Sequence, residues 1–159
     1  MLVQHYRTDN YQARRSVGYL LKRAHLLMLD QLESVVAGSD ITITQWVVMM
    51  HLRDGLAING RDLCAQLRHD SGALTRLIDQ LEARGLVQRE RSREDRRAVE
   101  LRLTDAGLKI LAPLLPKVVD KLNYALRDFS RAEANELSRL LTKLIASLEG
   151  TSAEPGEAA

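Results

Sequence analysis

The hydrophobic pattern of this chain changes its period at Gly85, and that change constrains the fold more than any other feature. Upstream of Gly85, apolar residues recur three and four positions apart, which is typical of an amphipathic helix. The members of this stripe are Leu74, Leu77, Ile78 and Leu81. Downstream, apolar and polar residues alternate, as they do in half-buried strands. The sequence therefore predicts a helix that runs directly into a β-hairpin.

The helix should cover residues 71–84, because Asp70 can cap its first amides and Gly85 suits a left-handed helix end. The face opposite the stripe is small and polar, and a helix that enters the major groove of DNA needs such a first turn. Hydroxyls and free amides can hold phosphates there, and an arginine can reach guanine. The residues that we expect to bind DNA are Ser71, Gly72, Ala73, Thr75 and Arg76.

The hairpin is predicted from strands at residues 86–91 and 98–103. Residues 84–102 contain seven arginines and four acids, which is a local excess of three positive charges. The polar turn between the strands cannot be buried without leaving charged side chains unpaired, so it should project into solvent or onto a polyanion. Arginine favours bidentate phosphate contacts or insertion into a narrow minor groove. The candidates in this turn are Arg93, Arg96 and Arg97.

Two runs of sequence, D-S-G-A-L-T-R-L-I-D-Q-L-E-A-R-G-L-V and E-D-R-R-A-V-E-L-R-L-T-D-A-G, carry a family resemblance. They resemble the recognition helix and wing of the MarR (multiple antibiotic resistance regulator) transcription factors. The resemblance implies that Arg97 enters the minor groove and that Asp95 orients a neighbouring wing arginine. It also implies a homodimer in which the first helix and the last two helices of both copies interleave.

The remaining helices are predicted from caps and apolar spacing. A first helix should span residues 11–36, and Thr44 should cap a short helix through Arg53. Asn59 should cap a third helix at residues 60–67, so that a tight turn joins it to the helix at 71–84. Two helices joined in this way, followed by a hairpin, form a winged helix-turn-helix.

After the hairpin, Thr104 should cap a long helix that contains Pro113 and Pro116. Each proline removes a hydrogen bond and clashes with the preceding turn, so we expect a bend or break between residues 111 and 116. Ser130 and Glu133 form a capping box for a last helix that should end by residue 150. Residues 151–159 are small, acidic and contain Pro and Gly, which predicts a disordered tail.

The predicted fold is mainly α with a small β-hairpin, in which a winged helix-turn-helix head lies on a helical dimerisation layer. Residues 37–103 should form the DNA-binding domain, and residues 1–36 and 104–150 the dimerisation helices. The leucine stripes of these outer helices contain more apolar side chains than packing against the head alone would require. A two-fold axis would place two recognition helices one duplex turn apart, roughly 34 Å, on a pseudo-palindromic operator.

Several functional classes are disfavoured by the sequence. The four His residues show no metal-ligand spacing, and no phosphate-binding loop or nucleophile signature is present, so we expect no metal, cofactor or enzyme activity. No apolar run reaches the roughly 18 residues of a membrane span, and residues 1–7 have no signal-peptide core, which favours the cytoplasm. The predicted function is therefore a DNA-binding regulator, most simply a repressor that competes with polymerase.

A small aromatic effector is a further expectation, because many MarR relatives bind aromatic acids where the head meets the helical layer. Trp46, Met50 and His51 could line that cleft, and Tyr11 or Arg14 could reach it, although core packing explains the first three as well. Two alternatives stay open. One is an oxidant sensor that uses Cys64, for which a buried structural thiol is the commoner role. The other is a winged-helix module that binds protein.

Overall fold

A computed structural model of the protein describes residues 4–68, 70–92 and 99–151. In these ranges the chain is mainly helical with one two-stranded antiparallel sheet, which confirms the predicted fold class. In chain order the elements are α1 (Val17–Val36), α2 (Ile43–Arg53), α3 (Gly60–Leu67), α4 (Ser71–Ala83), β1 (Val87–Arg91), β2 (Val99–Leu103), α5 (Asp105–Leu111), α6 (Leu114–Ala125) and α7 (Arg131–Thr151).

The helix and hairpin that meet at Gly85 form as predicted. The Asp70 carboxylate accepts a hydrogen bond of 2.9 Å from the amide of Ala73, and α4 ends one residue before its predicted end. Gly85 has a φ of +67°, which an L side chain rarely adopts, so the chain can leave the helix sharply there. Strand β1 pairs with β2 in the register that places Val87 opposite Leu103.

Two predicted helix starts are wrong. Helix α1 begins at Val17 rather than at residue 11, because a short 3-10 turn, Ala13–Arg15, precedes it and the Ser16 hydroxyl accepts from Tyr19. Helix α2 is capped by Thr42 rather than Thr44. The Thr42 hydroxyl accepts from the Gln45 amide while the Gln45 side chain accepts from the Thr42 amide, and this capping box outcompetes a start two residues later.

The helix that follows the wing is broken within the predicted interval, at Pro113, whereas Pro116 lies in the first turn of α6. Thr104 caps α5 by accepting from Gly107, and α5 ends at Leu111 before Pro113. Ser130 and Glu133 form the predicted capping box, with the Glu133 carboxylate 2.8 Å from the Ser130 amide. The Ser130 hydroxyl also donates to the Glu133 carboxylate at 2.7 Å, and this hydrogen bond, together with that from the Ser130 amide, lowers the pKa of Glu133. Helix α7 extends one residue past its predicted end, and the rest of the predicted tail, residues 152–159, lies outside the described residues.

Packing divides the chain after Lys121 into two compact units. In the first unit, α2 packs on α1, α5 and β2, and α3 packs on α4. The largest fully buried side chains there include Met49, Leu63 and Leu81. The amide of Leu101 also donates to the carbonyl of Ile58 at 2.8 Å, which joins the loop before α3 to the wing. The second unit contains α7.

Candidate nucleic-acid interface

The amino end of α4 presents its polar residues to solvent while its apolar residues pack into the fold. Leu74, Ile78 and Leu81 are at most 3% exposed. Because successive helical residues are about 100° apart, burying this stripe turns the opposite face outward. The five predicted DNA-binding residues of α4 are all exposed: Ser71, Gly72, Ala73, Thr75 and Arg76.

Hydrogen bonds define which polar groups at this helix end remain available. The Asp70 cap engages the amide of Ala73, and a single cap leaves other first-turn amides without an intrahelical acceptor. The Thr75 hydroxyl donates to the Ser71 carbonyl at 2.7 Å. Its proton is therefore engaged within the helix, and its oxygen remains as an acceptor for a donor outside.

Arg76 differs from the wing arginines in its electrostatic partners. It is exposed and forms no ion pair with any residue in the described ranges. The acid one turn further along, Asp79, pairs instead with Arg89 of β1. The Arg76 guanidinium therefore retains its five donors for a ligand such as a guanine edge or a phosphate.

Arg89 joins the wing to α4, a connection that the sequence analysis did not identify. Its Nη2 lies 2.6 Å from Asp79 Oδ1, and its Nη1 pairs with Glu82 Oε2. The hydrogen bond with Asp79 is the main reason that the pKa of Arg89 is raised above its ordinary value. The only sequence signal was the spacing of Asp79 and Glu82 on one helix face, which does not reveal a partner across the turn.

Arg102 forms a second two-carboxylate pairing, within the hairpin itself. Its Nε lies 2.8 Å from Glu90 Oε2 on the opposite strand, and its Nη2 lies 3.0 Å from Glu100 Oε2. Glu90 and Glu100 are already counted in the positive excess over residues 84–102, so only the pairing of Arg89 with Asp79 and Glu82, outside that range, offsets part of it. The predicted contacts at the wing tip, which are Arg93, Asp95, Arg96 and Arg97, lie outside the described residues.

A groove of about 340 Å³ lies between α3 and α4, beside the exposed helix end. Its lining comprises Gly60, Arg61, Cys64, Ser71, Leu74, Thr75 and Ile78. Cys64 is half-buried there, whereas a buried structural thiol was the commoner expectation. The difference arises because Leu63, the neighbouring residue, takes the core position, and one residue along a helix turns the next side chain about 100° away.

The three α2 residues predicted to line an effector cleft are buried or half-buried. Trp46 is 9% exposed, and its indole nitrogen has no hydrogen-bond partner among the described residues. His51 Nδ1 lies 2.8 Å from the Val47 carbonyl, so a neutral His51 carries its proton on Nδ1 and leaves Nε2 as an acceptor. Met50 is half-buried on the same helix.

Tyr11 and Arg14, the other predicted effector residues, lie in the exposed segment before α1. The ring of Tyr11 packs edge-on against Tyr6, with 5.9 Å between centroids. The Tyr6 hydroxyl in turn accepts from the amide of Val17 at 2.9 Å, which ties this segment to the start of α1.

Helices α1 and α7 each expose large apolar side chains. On α1, Leu20 and Leu27 are each 52% exposed. On α7, Leu140 is 47% and Leu148 is 59% exposed, and both belong to a stripe with helical spacing. Contiguous apolar surface of this kind usually marks an interaction site.

No group of three or more His, Cys, Asp or Glu side chains that could hold a metal ion occurs in residues 4–68, 70–92 and 99–151. In the same ranges, no helix combines the length and apolar character required to cross a bilayer.

A family model described as the MarR family matches residues 39–98. The HTH-type transcriptional regulator SarZ of Staphylococcus haemolyticus (strain JCSC1435) is 35% identical over 106 residues, which are 67% of this chain and 71% of that protein. A match of 106 residues extends well beyond α3 and α4, the two helices of the helix-turn-helix.

Two solved structures are similar in fold. A variant of MarR from E. coli, complexed with operator DNA, has a TM-score of 0.68 and 28% identity, covering 80% of this chain and 92% of that chain. BpsR of Bordetella bronchiseptica has a TM-score of 0.72 and 27% identity, covering 85% and 96%. That structure is described as a mechanism for regulation of BpsR DNA binding by 6-hydroxynicotinic acid.

Proposed function

The chain belongs to the MarR family of DNA-binding transcriptional regulators, and we propose that it is a repressor that binds a pseudo-palindromic operator as a homodimer. Each copy inserts α4 into the major groove and lays its wing along the neighbouring minor groove. The occupied operator excludes polymerase from the promoter. The relatives reported above are regulators rather than enzymes, in keeping with this role.

The observation that carries the proposal is the exposed, capped start of α4 beside an arginine that has no ion pair in the described part of the chain. Gly72 and Ala73 lack bulk, so the backbone can approach the floor of a groove. Arg76 can donate two hydrogen bonds to a guanine, while Ser71 and Thr75 anchor the helix to bases or phosphates. Together these groups meet the requirements of a recognition helix.

The wing tip has roles in this proposal that come from the family resemblance. Arg97 enters the minor groove, Asp95 orients a neighbouring arginine, and Arg93 or Arg96 binds phosphates. The described strands support the assignment because β1 and β2 pair as an antiparallel hairpin that follows α4 in the chain. The wing would therefore reach the same duplex that α4 reads.

A second copy of the chain is proposed to cover the apolar faces of α1 and α7. Leu27 on α1 and Leu140 on α7 are both about half exposed, which water disfavours. A two-fold axis through such a layer sets two α4 helices about one duplex turn apart, roughly 34 Å. This spacing would make the operator a pseudo-palindrome.

Release by a small aromatic ligand is the proposed means of regulation. The buried indole N–H of Trp46 has no partner among the described residues, so a ligand acceptor that reached it would satisfy an unpaired donor. Met50 and His51 lie on the same helix, and Tyr11 and Arg14 would complete the site. Binding there would change the distance between the two heads and so weaken operator binding. Because Trp46 is the one tryptophan in the sequence, its fluorescence reports occupancy.

A salt titration tests the proposed function. We expect the affinity for an operator fragment, selected from the host genome, to fall at least about a thousandfold between about 50 and 200 mM salt, because phosphate contacts release counterions. Fluorescence anisotropy measures the affinity, and a scrambled duplex of equal composition serves as control. The selected fragments should overlap promoters if the protein is a repressor. A chain that binds no duplex at the lower salt would contradict the proposal and favour a protein-interaction module.

Arg76→Ala should weaken operator binding by about 1–3 kcal/mol and relax the preference at one base pair, because a bidentate contact to guanine is lost. Titrating operators that differ at single positions measures both effects. Arg7→Ala is the matched control, since it removes the same charge from an exposed arginine outside α4 and the wing. Equal weakening for every sequence would instead identify Arg76 as a phosphate contact.

A further inference from the structure

We infer that Arg89 is a positioning residue, which holds the first strand of the wing against α4 and neutralises two carboxylates that would otherwise face operator phosphates. This inference rests on the proposed function, because it concerns how the wing and α4 meet DNA together. It assigns to Arg89 no contact with the DNA itself.

The geometry of the contact supports a clamp between two elements. Arg89 lies in the middle of β1, and its two Nη atoms bind different carboxylates, with 2.6 Å between Nη2 and Asp79 Oδ1. Asp79 and Glu82 are three residues apart on α4, so their carboxylates lie on one face of the helix. The planar guanidinium, with two separate donor groups, suits such a pair better than a single ammonium would. The clamp therefore spans the turn at Gly85.

The contact is too exposed to matter greatly for stability. The side chains of Arg89, Asp79 and Glu82 are 33%, 56% and 37% exposed, and ion pairs of this kind contribute little to the free energy of unfolding. The strand has other anchors, since Leu86 and Val87 are buried and the Leu86 amide donates to the Leu81 carbonyl at 2.9 Å. The effect of Arg89 should therefore appear in DNA binding rather than in folding.

The charges explain why the clamp affects DNA binding. Asp79 lies one turn beyond Thr75 and Arg76, on the side of α4 proposed to face the duplex. Without Arg89, Asp79 and Glu82 would present two negative charges near the phosphates. With Arg89, the three side chains carry a net charge of −1. The donors of Arg89 are engaged by carboxylates, whereas Arg76 has no ion pair among the described residues. The two arginines thus have different tasks on one surface.

A double-mutant cycle on the full-length protein tests the inference. R89Q keeps a polar side chain, although one shorter by two heavy atoms, and removes its charge. We expect it to weaken operator binding about tenfold, within the range of coupled neighbouring groups. In a D79N/E82Q background the same change should cost less than about twofold, because no carboxylates remain to be held or neutralised. Anisotropy titrations at several salt concentrations measure all four variants.

The matched control is R102Q, which removes an arginine that also binds two carboxylates, both within the hairpin. Since that pairing does not touch α4, R102Q should leave affinity within about twofold of the unaltered protein. Thermal melting of R89Q should change by no more than about 4 °C, as expected for an exposed ion pair. If the melting temperature of R89Q changes by more than this and its operator affinity is restored at lower temperature, Arg89 has only a structural role. That result would overturn the inference.

Two further outcomes would also overturn it. If R89Q weakens binding equally in both backgrounds and lowers the salt slope by about one in each, Arg89 is a phosphate ligand. If R89Q changes nothing in either background, the clamp has no role in DNA binding. Failure of the proposed function is distinguishable from both results, because the unaltered protein would then bind no duplex at all.

Discussion

Replacing Gly107 with alanine is expected to destabilise the protein by about 3 kcal/mol, the upper part of the usual range for overpacking. Gly107 lies in the first turn of α5, where the chain leaves the wing. A methyl group at this position would press against the Leu86 carbonyl oxygen and lie 2.7 Å from Leu103 Cδ1. The backbone carbonyl cannot rotate away, so either α5 or the strand must shift.

The hydrogen bonds around Gly107 make such a shift costly. The Thr104 amide donates to the Leu86 carbonyl at 3.1 Å, and the Thr104 hydroxyl lies 2.6 Å from the Gly85 carbonyl. The same hydroxyl accepts from the Gly107 amide at 3.1 Å. Moving α5 away from Leu86 would lengthen these bonds together, which leaves partly buried polar groups unsatisfied.

Chemical denaturation followed by far-ultraviolet circular dichroism measures the loss, at one protein concentration because dimerisation would couple to stability. Gly18→Ala in α1 is the matched control. A methyl group there meets no heavy atom within 4 Å, and alanine favours helix over glycine, so stability should stay equal or rise by up to about 1 kcal/mol. Equal stabilities for the two variants would show that α5 does not approach the Leu86 backbone closely.

Placing a charge on α7 with Leu140→Glu should abolish the proposed dimer and lower operator affinity at least about a hundredfold. Leu140 is 47% exposed within one copy and belongs to the apolar stripe of α7. A carboxylate buried between two copies would lack a partner and repel its symmetry mate. Each half-site would then bind alone, without the gain of about 10²- to 10⁴-fold that linked binding provides.

Molar mass from light scattering and operator affinity from anisotropy test this prediction together. The matched control is Ala146→Glu, which adds the same charge to an exposed position on the opposite side of α7 from the stripe. It should leave both mass and affinity unchanged. A Leu140→Glu protein that keeps twice the mass of one chain and full affinity would exclude this stripe as the dimer interface.

Much of the fold followed from local rules. Asp70, Thr104 and Ser130 each accept a hydrogen bond from the amide three residues later, and that relation is visible in the sequence. The break before Pro113 and the sharp turn at Gly85 were equally local. The capping box of Thr42 with Gln45 that starts α2 is equally local, and the prediction of Thr44 as the cap was wrong.

The exposed face of α4 was predictable for a related reason. An amphipathic helix has only one stripe to bury, so burial of Leu74, Ile78 and Leu81 decides where Thr75 and Arg76 point. The roles of these two residues in DNA binding remain a prediction. The family, in contrast, was evident from motif spacing and is confirmed by the family match over residues 39–98 together with the relative that is 35% identical over 106 residues.

The sequence by itself thus determined the elements, most of their caps and the family, because these depend on residues a few positions apart. Only the tertiary structure decided which arginines are engaged: Arg89 meets Asp79 across a turn, whereas Arg76 beside them has no ion pair in the described chain. It also decided that α5 approaches the Leu86 backbone so closely that Gly107 has no room for a side chain. Both results depend on how the chain folds back on itself, since ion pairs and close approaches form between residues that sequence spacing does not bring together.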